Sequence, residues 1–207
     1  TASIPEGIEK PVLMADEDST TVFGSKILRK NIREIEFVKV KKEKVPSGAW
    51  DVSEDKKKTI QAWTESTDKG LILKIGSENG VYANPNCKSL FSGYSNVKKI
   101  EFNHLFDTSK AICMEYMFYE CGELEDIDVS RFNTGNVTDM ACMFAFDNKL
   151  KKLDMSQFDT GKVTDMAGMF ADCFVLESLQ IDGFDTGEVL DMTNMFQDCS
   201  GLKAVSY

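Results

Sequence analysis

From Ile100 onward the apolar residues recur in a fixed frame. A Met-Phe pair falls at Met117-Phe118, Met143-Phe144, Met169-Phe170 and Met195-Phe196, each step being 26 residues. Three full copies align beneath one another: IDVSRFNTGNVTDMACMFAFDNKLKK from Ile127, LDMSQFDTGKVTDMAGMFADCFVLES from Leu153 and LQIDGFDTGEVLDMTNMFQDCSGLKA from Leu179. A degenerate copy, IEFNHLFDTSKAICMEYMFYECGELED from Ile100, carries one extra residue ahead of Phe106. SLFSGYSNVKK, Ser89 to Lys99, is the tail of a further copy, with Leu90-Phe91 in the Met-Phe slot. A period of this length marks units that stack and bury one another's apolar faces.

Within a copy, Leu153 and Met155 alternate with Asp154 and Ser156, which predicts a short strand with the apolar pair turned inward. Phe158 anchors the chain before an Asp159-Thr160-Gly161 turn, where Asp and Thr bond backbone amides and Gly tolerates positive φ. Val163, Met166, Met169 and Phe170 then follow at steps of 3, 3 and 1, which predicts the apolar stripe of a short helix. Thr160 or Thr164 would cap that helix, with Asp165 in its first turn and Leu176 closing the return. The expected fold class is therefore α/β: a solenoid of strand-turn-helix repeats with a parallel sheet.

Residues 1–31 read as an extended or mobile lead-in, on Pro5, Gly7, Pro11 and the polar run ADEDST. Residues 32–88 read as a small β-rich module capping the apolar end of the array. Ile32 to Val40 is a predicted strand, and Thr59–Thr64 and Leu71–Ile75 form a predicted hairpin through Glu65 to Gly70. Trp50, Trp63 and Phe37 are placed in the cap core, with carbohydrate stacking as the alternative for the tryptophans. The array takes residues 89–207: the partial copy 89–99, the degenerate copy 100–126, full copies 127–152, 153–178 and 179–204, and the start of another strand at 205–207.

Charge refines this picture. The net −10 divides into −13 from Ile100 onward and +3 before it, so the array is the acidic part and a nucleic-acid groove there is excluded. A cationic partner or a mixed protein surface suits it better. No apolar run approaches the ~20 residues of a membrane helix, and no signal peptide stands at Thr1. Because the chain opens without Met and closes on an uncapped strand, GLKAVSY, a processed leader and further repeats are expected, or self-association through that C-terminal edge. Cys121, Cys173 and Cys199 share one repeat position, filled by Asp147 in the intervening copy, and read as buried reduced thiols. The sequence does not pair Cys87, Cys113 and Cys142.

Catalytic chemistry finds little support. His104, the one histidine, is near Cys113 in sequence, but nothing orients the pair, and no phosphate loop, Cys-x-x-Cys pair or His-rich metal motif is present. No catalytic residue, metal or cofactor is assigned. The column Asp107, Asn133, Asp159, Asp185 and the column Asp139, Asp165, Asp191 could hold calcium. Both also have structural tasks, as Asx turns and helix first turns. Met114, Met140, Met166 and Met192 are core. The outward strand positions carry no evident structural reason for their residues: Glu101, Asp128, Asp154 and Gln180 in one column, Asn103, Ser130, Ser156 and Asp182 in the next. They are the expected ligand-binding face.

LDMSQFDTGKVTDMAGMFADCFVL resembles the repeat of BspA-like leucine-rich repeat surface proteins of bacteria. AWDVSEDKKKTIQAW and LILKIGSENGVYA resemble the module preceding such arrays. The chain departs from the pattern at Asp147, at the extra residue before Phe106, and at Leu190. The resemblance implies a leucine-rich-repeat solenoid on a secreted or wall- or lipid-anchored protein. It implies adhesion to host matrix or cell-surface proteins, or to other microbes, and transfers no catalytic residue. The expectation is a non-enzymatic surface binding module; the alternative is a structural spacer displaying another domain.

Overall fold

A computed structural model describes residues 9–207; the first eight residues of the expected lead-in lie outside it. The β-branched run at Ile32–Lys39 forms strand β1, with Ile32, Ile35 and Phe37 buried. Strand β2 is Trp50–Asp51, and β3 (Gln61–Thr67) and β4 (Gly70–Ser77) make an antiparallel hairpin across Asp68-Lys69. Gly76 is required there, since a Cβ would meet the Trp63 ring at 2.6 Å. β1 pairs in parallel with β4 on one side and with β6 (Lys99–Glu101) on the other, after the short β5 (Val81–Tyr82). The sheet order is therefore β2-β3-β4-β1-β6, and the cap sheet runs directly into the first repeat strand.

The rest of the lead-in packs against the cap and the partial copy. Leu13 is fully buried and its segment bridges Ser53 and Tyr82. Arg29, also fully buried, pairs with Asp16 at 2.8 Å and donates to the carbonyls of Thr21, Ser89, Ser92 and Asp16. A buried guanidinium needs all five donors met, and this one ties residues 16–29 to the partial copy at 89–92.

Beyond β7 (Phe106–Asp107, paired with β5), each repeat is one coil of the chain stacked on the next. β8 (Lys152–Asp154), β9 (Ser178–Gln180) and β10 (Ala204–Ser206) form a parallel three-stranded sheet on one side. On the other side single parallel bridges link Asn86, Cys113, Asp139, Asp165 and Asp191. The expected strand-turn-helix solenoid is overturned: no α-helix occurs among the described residues, and the protein is nearly all β, in small sheets.

The reason lies in where the amides go. Met166, Gly168, Phe170 and Asp172 donate to Asp191, Thr193, Met195 and Gln197 of the next coil at 2.8–3.0 Å. A helix would spend those amides internally and leave none for the next coil. The intervening residues close successive turns, Met169 N–H to the Met166 carbonyl (3.2 Å) and Ala171 N–H to that of Gly168 (3.0 Å). Left-handed residues, Gly168 (φ 61°) and Asp172 (φ 59°), re-aim the chain after each turn. The apolar spacing of three is thus the period of linked turns.

The core is one continuous cluster from Leu13 to Met195. Its spine is a column of near-parallel rings: Phe91–Phe118 at 5.5 Å, Phe118–Phe144 at 5.3 Å, Phe144–Phe170 at 6.1 Å and Phe170–Phe196 at 5.6 Å. Phe37 packs on Phe91 at 6.4 Å and so joins the cap to the column. Trp63 is buried as expected, while Trp50 is half-buried, its Nε1 donating to the Phe23 carbonyl at 3.2 Å. Met114, Met140 and Met166 are fully buried, but Met192 on the last described coil is 48% exposed.

Candidate functional site

The outward strand columns prove to have structural tasks. Asp128 Oδ1 accepts the Ser130 N–H at 3.0 Å and its Oγ–H at 2.6 Å, and Asp154 holds Ser156 with the same two distances. Each pair forms an Asx turn. Asp182 accepts from Ser206, Gln180 sets its amide against the Asp154 carboxylate, and Asn103 Nδ2 donates to the Phe37 carbonyl at 3.0 Å. The turn columns are similarly engaged. Asp159 and Asp185 Oδ1 accept Gly161 and Gly187 N–H at 3.0 and 2.9 Å. Those glycines have no positive φ; instead a Cβ would crowd the same carboxylates at 3.3 and 3.1 Å.

Of the eight expected ligand-binding residues, the structure brings Glu101, Asn103 and Asp128 into one concavity; Ser130, Asp154, Ser156, Gln180 and Asp182 lie outside it. The concavity is an interruption of the strand ladder. β6 ends one sheet and β8 ends the other, while residues 126–129 between them belong to neither. The extra residue before Phe106 is taken up on the β6 side of this break, at Asn103 and His104, both left-handed (φ 52° and 57°).

The resulting cleft has a volume of about 720 Å³. Its floor is aromatic: Phe106 packs on Phe37 at 5.0 Å, on Phe102 at 5.3 Å and on Phe132 at 5.9 Å. Its rim carries Glu36, Glu101, Asp126 and Asp128 together with Lys39, Lys99, His104 and Arg131. Lys99 pairs with Glu101 at 2.5 Å, and Lys74 reaches Glu36 from outside; no ion pair among the described residues engages Lys39 or Arg131. Hydrogen bonds from Ser130, reinforced by the charges of His104 and Arg131, hold the Asp128 carboxyl below its usual range. Sequence reasoning missed Phe102, Lys39 and Arg131, although the inserted residue beside the cleft was visible.

A second cluster joins Cys113, Glu115 and Asp139, whose ligand-type atoms lie within 4.8 Å of one another. Lys88 already meets Glu115 at 3.1 Å, and Asp139 Oδ1 takes the Ala141 N–H at 2.9 Å, so the cation and donors these carboxylates call for come from the chain. Burial, then the charges of Glu115 and Asp165, raise the Asp139 pKa. His104 lines the cleft, while Cys113 sits in the bridge ladder between Asn86 and Asp139. All six cysteines are free, with Cys87, Cys121 and Cys173 buried. No helix is long and apolar enough to cross a membrane among the described residues.

These features define a nearly all-β protein of stacked, helix-free coils, opened by one cleft where the stacking of strands is interrupted. Residues 85–206, more than half of the chain, match the family described as Mycoplasma protein of unknown function, DUF285, and the chain belongs to that family. No curated protein and no solved structure matches it. The family match and the absence of α-helices among the described residues overturn the resemblance to BspA-like leucine-rich repeat proteins. With it go the description as a leucine-rich-repeat solenoid and the grounds it lent to a cell-surface location and to host or microbial ligands.

Proposed function

We propose that the protein is a non-enzymatic binding module that receives an extended segment of a protein partner in the cleft between β6 and Phe132. The observation that carries this reading is the unpaired edge of β6 standing beside an aromatic floor. An open strand edge offers backbone hydrogen bonds to an added strand, and a pocket beside it selects side chains. A volume of about 720 Å³ falls within the range of ligand pockets, roughly 300–1,000 Å³. The rim presents charges of both signs, which suits a peptide better than a small ion.

The test is selection from a random peptide library displayed on phage, followed by fluorescence anisotropy of an enriched peptide. Arg131→Glu should weaken that peptide at least tenfold, whereas Asp154→Lys, outside the cleft, should leave it unchanged. Absence of enrichment, or a peptide indifferent to Arg131→Glu, would overturn the reading and leave the array as a spacer.

A further inference from the structure

In the position three residues after each Phe, the cysteines share one task. Cys121 Sγ–H donates to the Phe91 carbonyl at 3.1 Å, Cys173 to that of Phe144 at 3.1 Å, and Cys199 to that of Phe170 at 2.9 Å. In each case the carbonyl belongs to the Phe one coil back. By the same register, the carbonyl of Phe118 falls to residue 147, which is an aspartate.

Asp147 is 0% exposed. Its Oδ1 accepts the Cys121 N–H at 2.9 Å, while its Oδ2 has no partner. The Cys121 N–H is itself diverted to make that bond. In later coils the equivalent amides stay at home, Cys173 N–H on the Phe170 carbonyl (3.3 Å) and Cys199 N–H on that of Phe196 (3.2 Å). The Phe118 carbonyl therefore receives neither its own coil's amide nor a thiol. Two buried acceptors, that carbonyl and Asp147 Oδ2, are left on one register position. An ionised carboxylate has only acceptors to offer, whereas a carboxylic acid has one O–H donor.

We propose that Asp147 is held as a neutral carboxylic acid, Oδ2–H donating to the Phe118 carbonyl and Oδ1 accepting the Cys121 N–H. One proton then closes this joint between coils, and its loss loosens the joint. The acid bridges the C=O and N–H of one stretch of backbone, as an amide would. The thiols of Cys121 and Cys173 are the titratable groups set against it, both kept neutral by burial; no Lys, Arg or His among the described residues pairs with it. Full burial without a cation raises the carboxyl pKa well above the ordinary value, in agreement with the geometry.

The sign of the linkage follows. A carboxyl whose folded pKa lies above its unfolded value of about 3.9 gives stability that is complete below that value and is lost as pH rises through the folded pKa. Within that window the unfolding constant rises about tenfold per pH unit.

The experiment is urea unfolding across pH for the full chain and for Asp147→Asn, whose amide supplies the same donor and acceptor at every pH. The unfolding constant of the wild type relative to Asp147→Asn should climb about tenfold per pH unit above pH ~4. Asp147→Cys, which installs the residue of the other coils, should lack that slope and guards against an amide that fails to pack. Infrared difference spectra should show the C=O stretch of a protonated carboxylic acid in the wild type at neutral pH and not in either variant. Parallel pH profiles, or a folded wild type without that band, would overturn the proposal.

Discussion

Phe144→Ala tests whether cap and coils form a single cooperative body. Phe144 is 0% exposed and lies between the near-parallel rings of Phe118 at 5.3 Å and Phe170 at 6.1 Å. Burying a phenyl side chain removes ~200 Å² from water, and at ~25 cal/mol per Å² its loss costs about 4–5 kcal/mol. Measured Phe→Ala changes in cores agree, at about 3–5 kcal/mol. Phe196 is 40% exposed and stacks on one ring alone, Phe170 at 5.6 Å. Phe196→Ala should therefore cost about 2.5–3 kcal/mol, in proportion to the area it loses. In unfolding constants the two variants differ by roughly one to two powers of ten. The assay is urea unfolding followed by far-UV circular dichroism and by tryptophan fluorescence. Both tryptophans sit in the cap sheet, at Trp50 in β2 and Trp63 in β3, so fluorescence reports the cap. Since the core runs unbroken from Leu13 to Met195, Phe144→Ala should move both transitions together. A fluorescence midpoint left at the wild-type position would refute a shared core. Equal costs for the two variants would refute the ring column as the array's main support.

Two further outcomes follow from buried polar groups. Thr134 Oγ1 donates to the Asp159 carbonyl and accepts the Asp159 N–H, both at 2.9 Å, so Thr134→Val should lose about 1–3 kcal/mol by leaving both groups unpaired; Thr134→Ser should cost less, as the urea midpoints will show. Burial pushes the Cys87 thiol up to about 12 and raises those of Cys121 and Cys173 well above their usual range, so N-ethylmaleimide should label half-buried Cys113, Cys142 and Cys199 first. Peptide mass spectrometry of the native protein checks the order, and early labelling of Cys173 would contradict the burial.

The repeat frame, the inward Phe, Met and Leu positions and the β-rich cap were legible because hydrophobic patterning reports burial directly. The helix was misread because steps of 3, 3 and 1 at Val163, Met166, Met169 and Phe170 satisfy two backbones that bury the same side chains. What separates them is whether residue 168 is left-handed, and its equivalents Tyr116, Cys142 and Asn194 carry no mark of that. Hydrogen bonding between coils decides the matter, and it is a tertiary property. Composition alone describes the lead-in as loose; the buried pair of Arg29 with Asp16 joins residues 13 apart and leaves no local pattern to read. The outward Asp and Ser columns looked free because each Asp–Ser bond joins residues two apart in a turn invisible to a face-by-face reading.

The inserted residue before Phe106 is also the reason the cleft can be rigid. Across that same joint the other contacts hold register. Thr108 Oγ1 donates to the Asn133 carbonyl at 2.9 Å and accepts its N–H at 2.8 Å, Cys113 bridges Asp139, and Phe118 stacks on Phe144 at 5.3 Å. With turn, bridge ladder and ring column all fixed, the additional length is absorbed on the strand side alone. The chain there bulges at Asn103-His104, pinned by the Asn103 bond to Phe37, and Phe102 fills the inner side of the bulge. An opening framed in this way loses little freedom when a ligand enters, which is the condition for affinity from a modest contact area. The irregular copy thus sets its bulge directly after β6, the strand whose outer edge is unpaired.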